Sequence, residues 1–243
     1  MPPFTIHKCT IRNSEALARN NMSAFWTDSN WVLVWGDRTL EDVIKQAALR
    51  TPFNLLTNRS HKRHQVAIDE RTGEIVGYIR WILPDGMGLG MSDKEMGNIW
   101  SEAIVPEVSD QEKKEAEKLF QSADWIHRPP PGQLDVGDID IPVRAMENKL
   151  KKKKYLTLDY LAVHPDHRRQ GIATILVESG IREAEKMGLP IFVLAMKAGY
   201  GVYKKLGFKL LDQIIQDDSM YGGKGEYGVY FLEKEVEKMS DLV

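Results

Sequence analysis

Apolar positions along the chain change period several times, and each change marks an element. Leu156 to Val163 is β-rich and mostly apolar, which predicts a buried strand. Pro165 closes it, because proline offers no N–H to a ladder. From Gly171 to Met187 the apolar set recurs at Ile172, Leu176, Gly180, Ala184 and Met187, with Ile175 beside them. That spacing predicts a helix with one buried stripe. Glu178 and Arg182 sit four apart on the other face, and Gly188 supplies the C-terminal stop. Ile191 to Met196 reads as a strand, Gly199 to Leu206 as a short helix capped by Gly207, and 208–213 and 228–233 as closing antiparallel strands around a loop at 217–226.

Upstream the signals are more varied. Phe4 to Ile11 alternates as a first strand, and Asn13 or Ser14 caps a helix to about Phe25. An aromatic-rich connection with Trp26, Trp31 and Trp35 follows. A second helix enters through Thr39, spans 40–49 and precedes Pro52. Gln65 to Asp69 and Ile75 to Leu83 predict a hairpin turning at Arg71-Thr72-Gly73. Residues 84–154 are too long for a connection in a compact domain. Within them Gly86, Gly88 and Gly90 make a flexible entry, and 93–103 reads as helical. Ser109 and Glu112 form a capping-box pattern for a charged helix to about Ala123, Pro129 to Gly132 is a stiff break, and 143–150 reads as another helix. The expected organisation is one domain over 1–243, with 84–154 inserted between the third and fourth strands. A partner-binding or oligomer-forming arm is the alternative.

Composition narrows the setting. A net charge of -2 gives no general attraction to nucleic acid or anionic membrane. One cysteine, Cys9, expected in the first strand, precludes an intramolecular disulfide and fits a reducing compartment. The first residues lack the apolar core of a signal peptide, and no apolar run reaches membrane-helix length. The expectation is a cytoplasmic protein, with the nucleus left open by the basic run Lys149 and Lys151 to Lys154, itself read as a solvated turn. A homodimer is equally open. His61 and His64 fall in a basic, polar stretch read as a solvated loop, and His164 and His167 lack further ligands, so no metal is expected. Gly86-Met87-Gly88-Leu89-Gly90 fails as a dinucleotide fingerprint because Met91 occupies the sixth position. There is no Gly-x-Ser-x-Gly and no Walker sequence.

Between the predicted strand and helix lies Arg168-Arg169-Gln170-Gly171-Ile172-Ala173. Unpaired N–H groups at a helix N-terminus, with the helix dipole, make an anion site. Gly171 lets the backbone approach a phosphate closely, Ala173 is too small to block it, and two arginines add permanent charge. The expected ligand is a pyrophosphate.

The pattern Arg168-x-x-Gly171-x-Ala173 after a strand ending Leu161-Ala162-Val163, with Tyr203-Lys-Lys-Leu-Gly207-Phe208 downstream, resembles the GCN5-related N-acetyltransferases (GNAT). The resemblance is strong over 156–213, weaker over 4–83 and absent over 84–154. It implies a mixed, mostly antiparallel sheet flanked by helices and splayed at the central strand. It also implies acetyl-CoA as co-substrate, with the amides of Arg169, Gln170, Gly171, Ile172, Ala173 and Thr174 on its pyrophosphate beside Arg168. Leu161, Ala162 and Val163 would then lie along the pantetheine arm, with the Val163 backbone polarising the carbonyl, and the segment holding the three tryptophans would line the acceptor pocket.

Tyr203 stands where family members often carry the acid that protonates the leaving thiolate. Thr157 and Asp159 share a strand face where members carry the base, and of the two only Asp159 titrates. Burial is expected to raise its pKa into a useful range. The expected activity is acetyl transfer from acetyl-CoA to a primary amine, of a small molecule, in a ternary complex. A protein or peptide N-acetyltransferase and a non-catalytic acyl-CoA-binding regulator remain alternatives.

Overall fold

The computed structural model describes residues 3–87, 93–126 and 140–236. The predicted Pro129–Gly132 break, Gly88 and Gly90 lie outside them. Seven strands form one sheet: β1 (Phe4–Lys8), β2 (Lys62–Asp69), β3 (Ile75–Ile82), β4 (Leu156–Val163), β5 (Ile191–Met196), β6 (Lys209–Asp217) and β7 (Glu226–Lys234). Their order is β1-β2-β3-β4-β5-β7-β6, and the pairings are antiparallel except between β4 and β5. Helices cover both faces: α1 (Ser14–Phe25), a short α2 (Ser29–Val32), α3 (Leu40–Leu56), α4 (Asp93–Asn98), α5 (Asp110–Ser122), α6 (Asp140–Leu150), α7 (Ile172–Met187) and α8 (Lys197–Lys205). None of the described helices is long and apolar enough to cross a membrane.

The two faces follow from strand alternation. On β5, Ile191, Val193 and Ala195 join a core with Ile172 and Leu176 of α7 and Tyr203 of α8. Between them, Phe192 and Leu194 pack with Val143 and Met146 of α6. On the same strand face as α6, nearer β1, Leu17 of α1 and Leu55 of α3 meet Val66 and Tyr78.

Helix α7 packs on the sheet through two glycines, which leave room for the side chains facing them. A Cβ on Gly180 would stand 2.0 Å from the Trp81 indole, and one on Gly77 2.6 Å from Ile172. Trp81 is fully buried and cannot retreat. We expect Gly180→Val to cost about 3 kcal/mol or more, the upper range of overpacking, read as a lowered urea midpoint at unchanged m-value. A midpoint within error of wild type would show that the helix can lift off without cost.

Several expected boundaries moved. The second helix, α3, runs through Pro52 to Leu56. Proline removes one helical hydrogen bond, but Phe53 packs on Phe120 at 4.6 Å and Leu55 is buried, so tertiary packing carries the helix on. Helix α1 keeps its expected N-cap, Asn13, but that side chain faces back to Thr10, whose N–H and hydroxyl both donate to the Asn13 carboxamide oxygen across a short 3-10 turn. Cys9 lies just past β1 and is fully buried, which pushes its thiol pKa far up. The 93–103 helix is broken at Trp100, which adopts φ +55. The Ser109–Glu112 capping box stands as expected.

His64 is the largest correction. Strand β2 begins at Lys62, before the expected start at Gln65, so Lys62–His64 is strand and not a solvated loop, and Arg63, His64 and Gln65 are all buried there. Arg63 donates from Nε to the Ile99 carbonyl and from Nη1 to the carbonyls of Arg59, Ser60 and Lys62. Arg59 in turn donates to the Val105 carbonyl. Arg63 and Arg59 thus fasten the chain after β3 onto the sheet, while His64 bonds the Tyr78 hydroxyl and Gln65 accepts from the Ser179 hydroxyl.

Candidate functional site

Three β4–β5 pairs exist, the last being Leu158 with Val193. Beyond them β4 continues beside β3 to Val163, while β5 continues beside β7 to Met196. The sheet therefore splays at β4, as the resemblance implied. On the β3 side Arg80 faces Tyr160 and Trp81 faces Leu158, so Asp159 is the extra residue of a bulge.

The chain leaves β4 through a 3-10 turn at Pro165–His167 and enters α7. Arg169 (φ +61) and Gly171 (φ +84) both adopt the left-handed conformation. No side chain caps α7. Its first helical bond is Ile175 N–H to the Gly171 carbonyl, so the amides of Ile172, Ala173 and Thr174 have no helical acceptor. A Cβ on Gly171 would meet nothing within 4 Å. The corner thus presents uncapped donors in front of open space, a seat suited to an anion. The Arg168 guanidinium is bonded to the end of α1, donating to the Ala24 carbonyl at 3.0 Å and the Thr27 hydroxyl at 2.7 Å. Arg169 and Gln170 are exposed. Of the strand residues assigned to the same ligand, Ala162 is buried, and Leu161 and Val163 are half-buried against the α7 core.

Tyr203 is 4% exposed and packs edge-on against Phe208. Its hydroxyl makes no hydrogen bond among the described residues, and burial holds the phenol pKa well above its usual value. The ring folds over Gly199, where a Cβ would come within 3.0 Å of it. Gly207 (φ +83) ends α8 and lets Phe208 N–H reach the Tyr203 carbonyl, fixing the tyrosine backbone. Asp159 is exposed and forms an ion pair with Arg80. The burial expected for its carboxylate is therefore absent, because the bulge turns it outward.

On the α1/α3 face of the splay lies a cavity of about 220 Å³. Its floor is a cross-strand row: His64 faces Arg80, and Arg80 faces Tyr160. Tyr78 pairs with His64 Nδ1 at 2.8 Å, and its ring meets Tyr160 edge-on at 5.4 Å. Arg50, Asn54, Met22 and Trp125 complete much of the wall. Sequence reasoning missed most of this set. Alternation in β2 and β3 places His64, Tyr78 and Arg80 on one face, but only once the Lys62–Gln65 run is read as a strand. Trp26, Trp31 and Trp35 form an aromatic cluster with Trp125 beside the cavity, and of the four only Trp125 lines it.

Burial, reinforced by Arg80, Lys62 and Arg63, lowers the His64 pKa to about 3, and its Nε2 has no hydrogen-bond partner. The folded-state value lies below that of the unfolded chain, so protons bind the unfolded chain first. Stability is therefore complete above about pH 6.5 and falls by about 1.4 kcal/mol per unit on acidification below it. Between pH 7 and 5 we expect urea unfolding to show a loss of about 2 kcal/mol that His64→Gln largely removes. Equal pH slopes in both proteins would mean that His64 is protonated without unfolding.

Residues 95–208 match the family model described as acetyltransferase (GNAT) family. The match begins inside the segment where the sequence pattern alone carried no resemblance. No curated protein matches the chain. Among solved structures, the chain is similar to a Corynebacterium glutamicum protein described as histone acetyltransferase HPA2 and related acetyltransferase (TM-score 0.56, 16% identity, 96% of each chain). It is also similar to the mosquito arylalkylamine N-acetyltransferase like 5b (TM-score 0.50, 13% identity, 96% of this chain and 99% of that one). The C-terminal condensation domain of Ebony, solved with beta-alanyl-dopamine, is a third (TM-score 0.54, 16% identity, 97% of this chain and all of that one, 100%). Fold and family model point the same way: residues 95–208 match the GNAT acetyltransferase model, and they run from the segment after β3 through the splayed strand β4 and α7 to just past α8.

Proposed function

We propose that the chain moves an acetyl group from acetyl-CoA to the primary amine of a small molecule, by direct attack in a ternary complex. The observation that carries this reading is the uncapped amide corner at 171–174, adjoining a strand freed from its β5 partner. The amides of Arg169 to Thr174 hold the pyrophosphate, and Leu161, Ala162 and Val163 flank the pantetheine arm, with the free edge of β4 as its pairing surface. Bound there, acetyl-CoA supplies the acyl group as a thioester.

In the net reaction a nitrogen–carbon bond forms, the carbon–sulfur bond breaks, one proton leaves the amine and one reaches the sulfur. Tyr203 delivers the latter. Asp159, held by Arg80 at the bulge, is the proposed acceptor of the former. No acidic residue lines the cavity to stabilise an ammonium ion, so the bound amine gives up its proton readily and a weak base suffices. Domain organisation enters the same proposal. Residues 84–154 are an insertion within one domain, and its Trp125, just after α5, joins the acceptor-side wall.

Proteins of this fold named above include a histone acetyltransferase and an arylalkylamine N-acetyltransferase, so the fold does not choose the acceptor. The cavity volume favours a small amine: 220 Å³ falls below the about 300–1,000 Å³ of pockets for drug-sized ligands. A screen of primary amines with acetyl-CoA, following free thiol and product mass, tests the proposal. Amine-dependent thiol release with an N-acetylated product is expected. Coenzyme A binding without turnover of any amine would instead favour the acyl-CoA-binding regulator.

A further inference from the structure

We infer that the acceptor carries a carboxylate beside its reacting amine and that Arg50 receives it, an inference that rests on the acetyl-transfer reading above. Arg50 lies in α3 and lines the cavity. Its guanidinium is flanked by two aromatic rings, 4.8 Å from the Phe120 centroid and 4.5 Å from that of Trp125. Stacking of this kind fixes the plane and leaves the N–H edge available. None of the five donors on that edge has a hydrogen-bond partner among the described residues, and Nε is fully shielded from solvent.

A shielded cation without a counter-ion is costly. Here the cavity offers no acidic residue among those that line it. The nearby carboxylates are engaged elsewhere: Asp124 with Arg38 at 2.6 Å, and Asp159 with Arg80. His64 is neutral at assay pH and adds no charge. One uncompensated guanidinium matches one monoanion, and its planar fork fits a carboxylate through two parallel hydrogen bonds. The cavity is sized for one small molecule, which therefore carries both the carboxylate and the amine: an amino acid. With the carboxylate on Arg50 on α3, the rest of the molecule extends over the Tyr78 and Tyr160 rings toward the splay of β4.

The test compares matched pairs that differ only by the carboxylate: tyrosine with tyramine, phenylalanine with phenethylamine, tryptophan with tryptamine. The full chain is assayed with acetyl-CoA. For the accepted side chain, kcat/KM for the amino acid is expected to exceed that of its decarboxylated partner by at least about tenfold. Arg50→Met, which keeps a chain able to pack between Phe120 and Trp125, is expected to bring that ratio near unity while the KM for acetyl-CoA holds. Arg50→Lys is expected to keep part of the preference. Transfer to the decarboxylated amines with an Arg50-independent ratio overturns this inference and leaves the acetyl-transfer reading standing. If no amine is turned over, that reading fails, and calorimetric titration of the same amino acids into the coenzyme A-saturated protein decides the charge site. Binding lost in Arg50→Met supports it, and no binding to wild type rejects it.

Discussion

Replacing Gly171 with valine is expected to raise the KM for acetyl-CoA at least about 100-fold, because two or more charge-assisted hydrogen bonds of about 1.5–3 kcal/mol each are lost. Two effects act together. Gly171 has φ +84, where a β-branched residue is strained. The Cβ and its methyls would also occupy the open space in front of the α7 amides, which now holds no atom within 4 Å of that position. The same open space means that the substitution meets no packed neighbour, so the folded state should pay only the backbone strain, about 1–3 kcal/mol. The KM for the amine is expected to stay within about twofold, since the acceptor cavity lies on the other face of the sheet and shares no residue with this corner. Initial-rate kinetics with each substrate varied in turn check this. An unchanged donor KM in a folded Gly171→Val protein would remove the pyrophosphate from this corner.

The second large effect is expected at Tyr203. Tyr203→Phe should lower kcat by about 10²–10³-fold with both KM values nearly unchanged, the range for loss of one general acid. The ring packs between α8 and Phe208, and phenylalanine keeps that packing. The hydroxyl has no partner among the described residues, so its removal orphans nothing. Burial raises the phenol pKa, so the wild-type acid stays protonated through the alkaline assay range, and kcat should show no alkaline limb from this group. A full-rate phenylalanine variant would leave Tyr203 with packing alone, and the thiolate would take its proton from water.

How far these residues could be read beforehand depended on how local their causes are. Helix α7 was legible because its stripe, its glycine stop and the Gly171 turn are all written within one stretch. The α5 capping box was legible for the same reason, since Ser109 and Glu112 satisfy each other. Pro52 misled because the reasons for continuing α3 lie far along the chain, at Phe120. Lys62 to His64 looked solvated because polar residues in a buried strand are intelligible only from what they bond: Ile99 and Tyr78. Arg50 falls just past the expected end of the second helix, and nothing local marks it until Phe120 and Trp125 stack on its guanidinium. The donor corner is thus a local motif, and the acceptor cavity is assembled from α1, α3, three strands and the segment after α5.

The central claim concerns the amides that open α7, and they can be observed directly. Titrating coenzyme A into the nitrogen-15-labelled full chain, the account predicts that the largest amide shifts cluster at 169–176, with a second set along 160–163 on β4. Saturable binding whose shifts avoid both segments, or no shift at millimolar coenzyme A, would contradict it.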